Sequence, residues 1–163
     1  MRKFGLIGYP LSHSFSKKYF TEKFFNEGLV NCRYDNYPLT NILSLYDLLQ
    51  SDYQIEGLNV TIPYKTKVMD CLDFIDPDAL SVGAVNVLKI NKLDNGMKIL
   101  GFNSDITGIK DTVASIMSPS LKNALILGTG GASKAVRYVL RNLGINYTVV
   151  SRTSQPDCLT YNE

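Results

Sequence analysis

Three stretches of the chain gather side chains able to hold a ligand and move a proton, each at the end of an apolar run. The first is Ser12-His13-Ser14-Phe15-Ser16, directly after Gly8-Tyr9-Pro10-Leu11. The second is Asn59-Val60-Thr61-Ile62-Pro63-Tyr64-Lys65, in which Asn59 and Thr61 are two apart and share one face of a strand. The third joins Asn86, inside an apolar run, to Asn103-Ser104-Asp105, which follows another. Ligands of open parallel sheets sit beyond the carboxyl ends of the strands. Hydroxyls, amides, one ammonium and one carboxylate meeting there suit a small polyol that carries a carboxylate. Taken singly, each residue has a plainer role. Ser14 and Ser16 fit a turn and a helix N-cap, with Ser16 able to be both cap and ligand, and Asp105 fits the cap of the next helix. Lys65 alone would be a solvated lysine. His13, the one imidazole, precedes a Ser-rich helix start and reads as structural rather than catalytic.

A fourth motif changes the weight of the other three. Gly128-Thr129-Gly130-Gly131-Ala132 stands between a strand-like run and a helical one. Glycines there let a pyrophosphate approach the backbone and accept hydrogen bonds at a helix N-terminus. The spacing departs from G-x-G-x-x-G, because Ser133 takes the place of the third glycine. A plain glycine-rich turn is the alternative. An NAD site offers an acidic residue about 20 positions on, after the next strand. This chain has Ser151-Arg152-Thr153 instead. A guanidinium beside two hydroxyls suits a 2′-phosphate, so the expected cofactor is NADP, against the reading of Arg152 as a solvated surface residue.

The elements that must position these groups alternate strand and helix. Runs at 4–7, 31–37, 55–62, 84–90 and 97–102 read as strands, the last two joined around Asp94-Asn95-Gly96. Ser16 opens a helix to about Asn26, with Gly28 placed to stop it, and Ile42, Leu45, Leu48 and Leu49 mark a second. Ile106, Ile109, Val113 and Ile116 mark one face of a third, which Ser118-Pro119-Ser120 interrupts. Then come a strand at 124–127, a helix with Ala135, Val136, Val139, Leu140 and Leu143 on its core face, a stop at Gly144 and a strand at 147–150. The expected fold is α/β: a mostly parallel substrate domain at 1–118 and an incomplete Rossmann-like nucleotide unit at 119–163. A dinucleotide domain needs two mononucleotide halves and the residues after 121 supply less than one, so the chain reads as C-terminally truncated.

Composition bounds the rest. The 163 residues carry 17 Lys+Arg against 15 Asp+Glu, a net +2 that leaves no electrostatic footprint for nucleic acid. No apolar run is long enough to span a bilayer, and no signal-peptide segment opens the chain. Three widely spaced cysteines without a C-x-x-C pattern argue against a disulfide framework or a metal site. A reducing, cytoplasmic setting is expected, and the open strand edges of a partial Rossmann unit make association of two copies a further expectation.

Together the motifs Gly8 to Ser16, Asn59 to Lys65, Gly83-Ala84-Val85-Asn86, Gly101 to Asp105 and Gly128 to Ala132 resemble the shikimate dehydrogenase family, in its order and spacing, from about 5 to 153. The resemblance implies an NADP-linked oxidoreductase interconverting shikimate and 3-dehydroshikimate in aromatic amino-acid biosynthesis. It implies Lys65 and Asp105 as the catalytic pair. Ser14 and Ser16 would bind the substrate carboxylate, and Thr61, Asn86 and Asp105 the ring hydroxyls, with Asn59 in support. Gly128, Thr129, Gly130, Gly131 and Ala132 would hold the pyrophosphate, and Arg152 and Thr153 the adenosine phosphate. Lys17, Ser104 and Ser151 depart from the family's usual Pro, Thr and Asn. Two alternatives stay open: a relaxed quinate/shikimate dehydrogenase, and a chain that binds shikimate without redox turnover.

Overall fold

A computed structural model describes residues 1–118 and 121–162. The expected break between the two units includes Pro119 and Ser120, which lie outside the described residues.

The first sheet has six strands in the order β2-β1-β3-β5-β6-β4. They are β1 (Arg2–Gly8), β2 (Cys32–Pro38), β3 (Ile55–Val60), β4 (Phe74–Ile75), β5 (Val87–Leu93) and β6 (Gly96–Phe102). β1, β2 and β3 run parallel, β5 is antiparallel to both neighbours, and β6 and β4 return to the first direction. The largely parallel sheet therefore contains one reversed strand, imposed by a tight hairpin. Leu93 pairs with Gly96, leaving Asp94-Asn95 as the turn, and Gly96 takes φ +138°, where a side chain would be strained.

The helices are α1 (Ser16–Asn26), α2 (Ser44–Ser51), α3 (Pro77–Val82), α4 (Asp105–Ile116) and α5 (Gly131–Asn142), with a 3-10 turn at Lys67–Cys71. Leu45 and Leu49 of α2 are buried with Ile7, Ile55, Leu58, Leu88 and Ile99, making the main core on one face of the sheet. On the other face Phe20 and Phe24 of α1 pack against Leu6 and Tyr34.

The second sheet orders β7 (Asn123–Leu127), β8 (Asn146–Ser151) and β9 (Leu159–Thr160), all parallel. α5 closes over it through Leu140, beside Ile126, Ile145 and Val149. The other side of α5 meets the first unit, where Ala135 packs with Val82 and Ala84 and with Ile106 and Ile109 of α4. Two hydrogen bonds reinforce that seam: Lys134 Nζ to the Gly83 carbonyl at 3.1 Å, and the Tyr138 hydroxyl to Asp78 Oδ1 at 2.8 Å. No helix among the described residues is long and apolar enough to cross a membrane.

Several expectations need correction. β3 ends at Val60 rather than Ile62, because a turn closed by Tyr64 N–H on the Thr61 carbonyl takes over. Asn86 stands just ahead of β5, not inside it. Ser16 is the first helical residue and not the cap: Phe15 holds the cap position in helical geometry, and it is the Ser14 hydroxyl that accepts the Ser16 N–H, at 3.3 Å. The apolar face of α4 is half-buried at Ile106, Ile109 and Val113 and exposed at Ile116. Unanticipated, α3 starts on the Asp76 side chain, which accepts from Asp78 and Ala79 N–H, has Pro77 in its first turn and stops at Gly83, φ +68°.

Candidate active site

The reversed strand explains how remote segments meet. β1, β3 and β6 end at the edge where β5 begins, so Leu11 to Ser16, Thr61 to Lys65, Asn86 and Asn103 to Asp105 all leave the sheet together. At that edge lies a cavity of about 670 Å³ whose lining includes Ser14, Ser16, Asn59, Thr61, Lys65 and Asn86. Ser14, Ser16, Asn59, Thr61 and Asn86 are thus in one wall, with the exposed His13 at its rim, whereas Asp105, also expected to meet the ring hydroxyls, is not. A second groove, about 770 Å³ between α1 and β5, is mostly apolar and contains neither Lys65 nor Asp105.

Lys65 Nζ donates to Asp105 Oδ2 at 2.6 Å, and Asn86 Nδ2 donates to Asp105 Oδ1 at 2.7 Å. Both carboxylate oxygens are therefore held, one by a charge and one by an amide. The side chains of the ion pair are about one-fifth and one-quarter exposed (19% and 25%), dry enough for the contact to matter and open enough to meet a ligand. Asp105 itself stands behind Lys65 and Asn86 rather than in the cavity lining.

The backbone fixes this pair from both sides. The Lys65 carbonyl accepts Val85 N–H at 2.7 Å, which sets the lysine beside Asn86. Asn103 Oδ1 accepts Asp105 N–H at 3.0 Å while its Nδ2 donates to the Ala84 carbonyl at 2.8 Å, tying the start of α4 to the same strand entrance. Asn86 Oδ1 accepts the Ser104 N–H at 2.8 Å. Asn86 accordingly orients the Asp105 carboxylate while its side chain still lines the cavity. Of Lys65's three donors one is spent on Asp105, leaving two for the cavity.

Sequence reasoning passed over Tyr34, a buried residue of β2 whose hydroxyl donates to Asn59 Oδ1 at 2.8 Å. Burial pushes its ionisation well above the ordinary phenol range, against a smaller opposing pull from the Ser16 hydroxyl, so it stays a neutral donor.

The glycine loop links β7 to α5. Gly128 takes φ +106°, and its N–H donates to the Val150 carbonyl of β8 at 2.8 Å. A Cβ added at Gly128 or Gly130 would meet nothing within 4 Å. The loop is therefore an open cradle in front of a helix start that has no side-chain cap and no acidic residue in its first turn. Those features fit a dinucleotide phosphate. Arg152 and Thr153 are exposed just after β8, at the same edge of the parallel pair β7–β8. No group of three or more metal-ligating side chains occurs among the described residues.

Residues 6–88 match the family model described as the shikimate dehydrogenase substrate binding domain. A shikimate dehydrogenase (NADP(+)) of Methanococcus maripaludis is 40% identical over 150 residues, covering 91% of this chain and 52% of the relative. A crystal structure of shikimate dehydrogenase 1 from Peptoclostridium difficile superposes with a TM-score of 0.82 at 33% identity, over 98% of this chain and 60% of that one. A shikimate 5-dehydrogenase from Thermus thermophilus, in complex with NADP(H) and shikimate, gives 0.79 at 29% identity over 96% and 58%. The chain spans about half the length of the curated relatives it matches.

Proposed function

The chain belongs to the shikimate dehydrogenase family, and from that premise we propose that it carries the substrate pocket and the acid–base pair of an enzyme interconverting shikimate and 3-dehydroshikimate with NADP. The observation that carries the reading is the Lys65–Asp105 contact at 2.6 Å beside a cavity lined by Ser14, Ser16, Asn59 and Thr61. The division of labour falls near 118/119: substrate before it, cofactor phosphates after it.

In this reading Ser14 and Ser16 receive the substrate carboxylate at the start of α1, and Asn59, Thr61 and Asn86 face the ring hydroxyls. When bound, the nicotinamide supplies the hydride acceptor or donor. Lys65, entering the oxidation as the free amine, takes the hydroxyl proton as the ring alcohol becomes a ketone and is left as the ammonium; in reverse the ammonium returns that proton to the forming alkoxide. Asp105 holds the Lys65 ammonium in place and is itself held by Asn86, so the proton is handled at a fixed point. Gly128 to Ala132 cradle the pyrophosphate, and Arg152 with Thr153 meets the 2′-phosphate. Three free cysteines suit a reducing cytoplasm. Association of two copies belongs to the same reading, and sedimentation showing monomer alone removes it.

One observation favours a second reading for the chain as it stands. With β7, α5, β8 and the short β9 it has only part of a nucleotide fold, so it can bind shikimate without turning it over. Calorimetric titration with shikimate, followed by an assay for reduced nicotinamide with shikimate and NADP, separates the two. Saturable binding is expected; a folded chain that binds no shikimate overturns the site. Quinate and NAD tested alongside decide the relaxed-specificity alternative.

A further inference from the structure

Tyr34 is 3% exposed and lies outside the lining of the site cavity, at the inner wall of the neighbouring apolar groove, while Asn59 stands between the two and lines both. Its ring stacks on Phe20 of α1, with centroids 4.5 Å apart and planes inclined by 13°. Only the hydroxyl points to polar company, donating to Asn59 Oδ1 at 2.8 Å. A carboxamide has one acceptor end and one donor end. The neutral phenol of Tyr34 can donate or accept, and here it donates, taking the acceptor end. Asn59 Nδ2 then has no protein hydrogen bond among the described residues, on a side chain that lines the cavity.

We propose that Tyr34 is a positioning residue for the substrate: its hydroxyl locks the Asn59 carboxamide so that Nδ2 is presented as a donor to an oxygen of the bound polyol. The inference rests on the shikimate reading of the same pocket. It assigns Asn59 a direction that its position alone does not give. It also accounts for a tyrosine in β2 where a phenylalanine would satisfy the stacking on Phe20. Without the hydroxyl the amide is free to turn over and present Oδ1 in place of Nδ2.

The test is calorimetric titration of shikimate into the wild-type chain and four variants. Tyr34→Phe keeps the ring and its stacking, and should weaken binding on the order of fivefold, the worth of one hydrogen bond. Asn59→Asp can still accept from Tyr34 but offers no donor, so it should bind as poorly as Asn59→Ala. Adding Tyr34→Phe to Asn59→Ala should cost clearly less than it does in the wild-type background, because with the amide gone only the weaker link of the hydroxyl to Ser16 is left to lose. A merely structural tyrosine would instead weaken binding equally in both backgrounds, and that additive result overturns the proposal. Wild-type affinity in Tyr34→Phe, or in Asn59→Asp, overturns it as well. A wild-type chain with no saturable binding removes the pocket reading and this one with it, whereas wild-type binding alongside an unaffected Tyr34→Phe removes this one alone.

Discussion

Gly131, the first residue of α5, lies against the aliphatic stem of Lys65: a Cβ built on the glycine would stand 3.1 Å from both Cβ and Cδ of the lysine. The glycine loop and Lys65 belong to different sheets, yet they touch. α5 is held in that position by Lys134 on Gly83 and Tyr138 on Asp78, and by Ala135 buried between Val82 and Ala84. Gly131 thus has a reason to be glycine that is independent of any phosphate.

Gly131→Ala is expected to push the Lys65 stem aside by a few tenths of an ångström and loosen its 2.6 Å contact with Asp105. Misplacement of a reacting group on the ångström scale can cost about a hundredfold in rate, so roughly tenfold is expected here. Steady-state oxidation of shikimate with NADP should show the loss in kcat. Shikimate affinity, read by calorimetry, should change by no more than about threefold. Unchanged kcat would mean the lysine relaxes freely.

Lys65→Ala removes the group proposed to exchange the proton but leaves Ser14, Ser16, Asn59 and Thr61 in the wall. Turnover should fall by about a hundredfold to ten-thousandfold, the range for a general acid–base group. Substrate affinity should stay within about tenfold. Near-normal turnover in a folded variant would take the role from Lys65.

Lys3 and Asp52 supply a pH test of the fold rather than the site. Lys3 Nζ meets Asp52 Oδ2 at 2.7 Å, joining β1 to the turn before β3, and both side chains are about a quarter exposed (24% and 23%). The Lys3 hydrogen bond leads the causes that hold the Asp52 carboxyl below its ordinary range. A depressed carboxylate stabilises the fold above its unfolded ionisation range and loses that contribution as pH falls through its folded one. Asp52→Asn should therefore cost about 0.5 kcal/mol at neutral pH. In denaturant melts the gap from wild type should close on acidification; a gap that widens would refute the assignment.

The parts of the site that could be read from the chain are those set by local order. Lys65 and Asp105 each follow a strand-like run, so a parallel sheet delivers them to one edge whatever its exact register. α3 went unread although its signals are local, Asp76-Pro77 and Gly83 giving an N-cap, a first-turn proline and a left-handed stop, because only six residues separate them. The boundary at Ser16 was harder, because Ser14 and Ser16 are both competent caps and only the backbone at Phe15 decides between them. Tyr34 was out of reach, since its link to Asn59 exists only once β1 lies between β2 and β3 in the observed register. Gly131 against Lys65 likewise depends on how α5 docks on α3 and α4, which no local pattern encodes.

Arg152 carries the last expectation. It is exposed directly after β8, where the Val150 carbonyl holds the Gly128 N–H, so the arginine and the open glycine cradle share one sheet edge. A guanidinium there should form paired, charge-assisted bonds to a 2′-phosphate, and little with an unmodified ribose. The probe is adenosine 2′,5′-bisphosphate, which needs no nicotinamide pocket, compared with adenosine 5′-monophosphate. The chain should prefer the bisphosphate, and Arg152→Gln should erase most of that preference, on the order of tenfold, at low ionic strength. Raising the salt should shrink the wild-type preference toward that of the variant, because an exposed pair is screened. Equal binding of both nucleotides by the wild-type chain would leave the arginine as a solvated residue and remove the ground for preferring NADP over NAD.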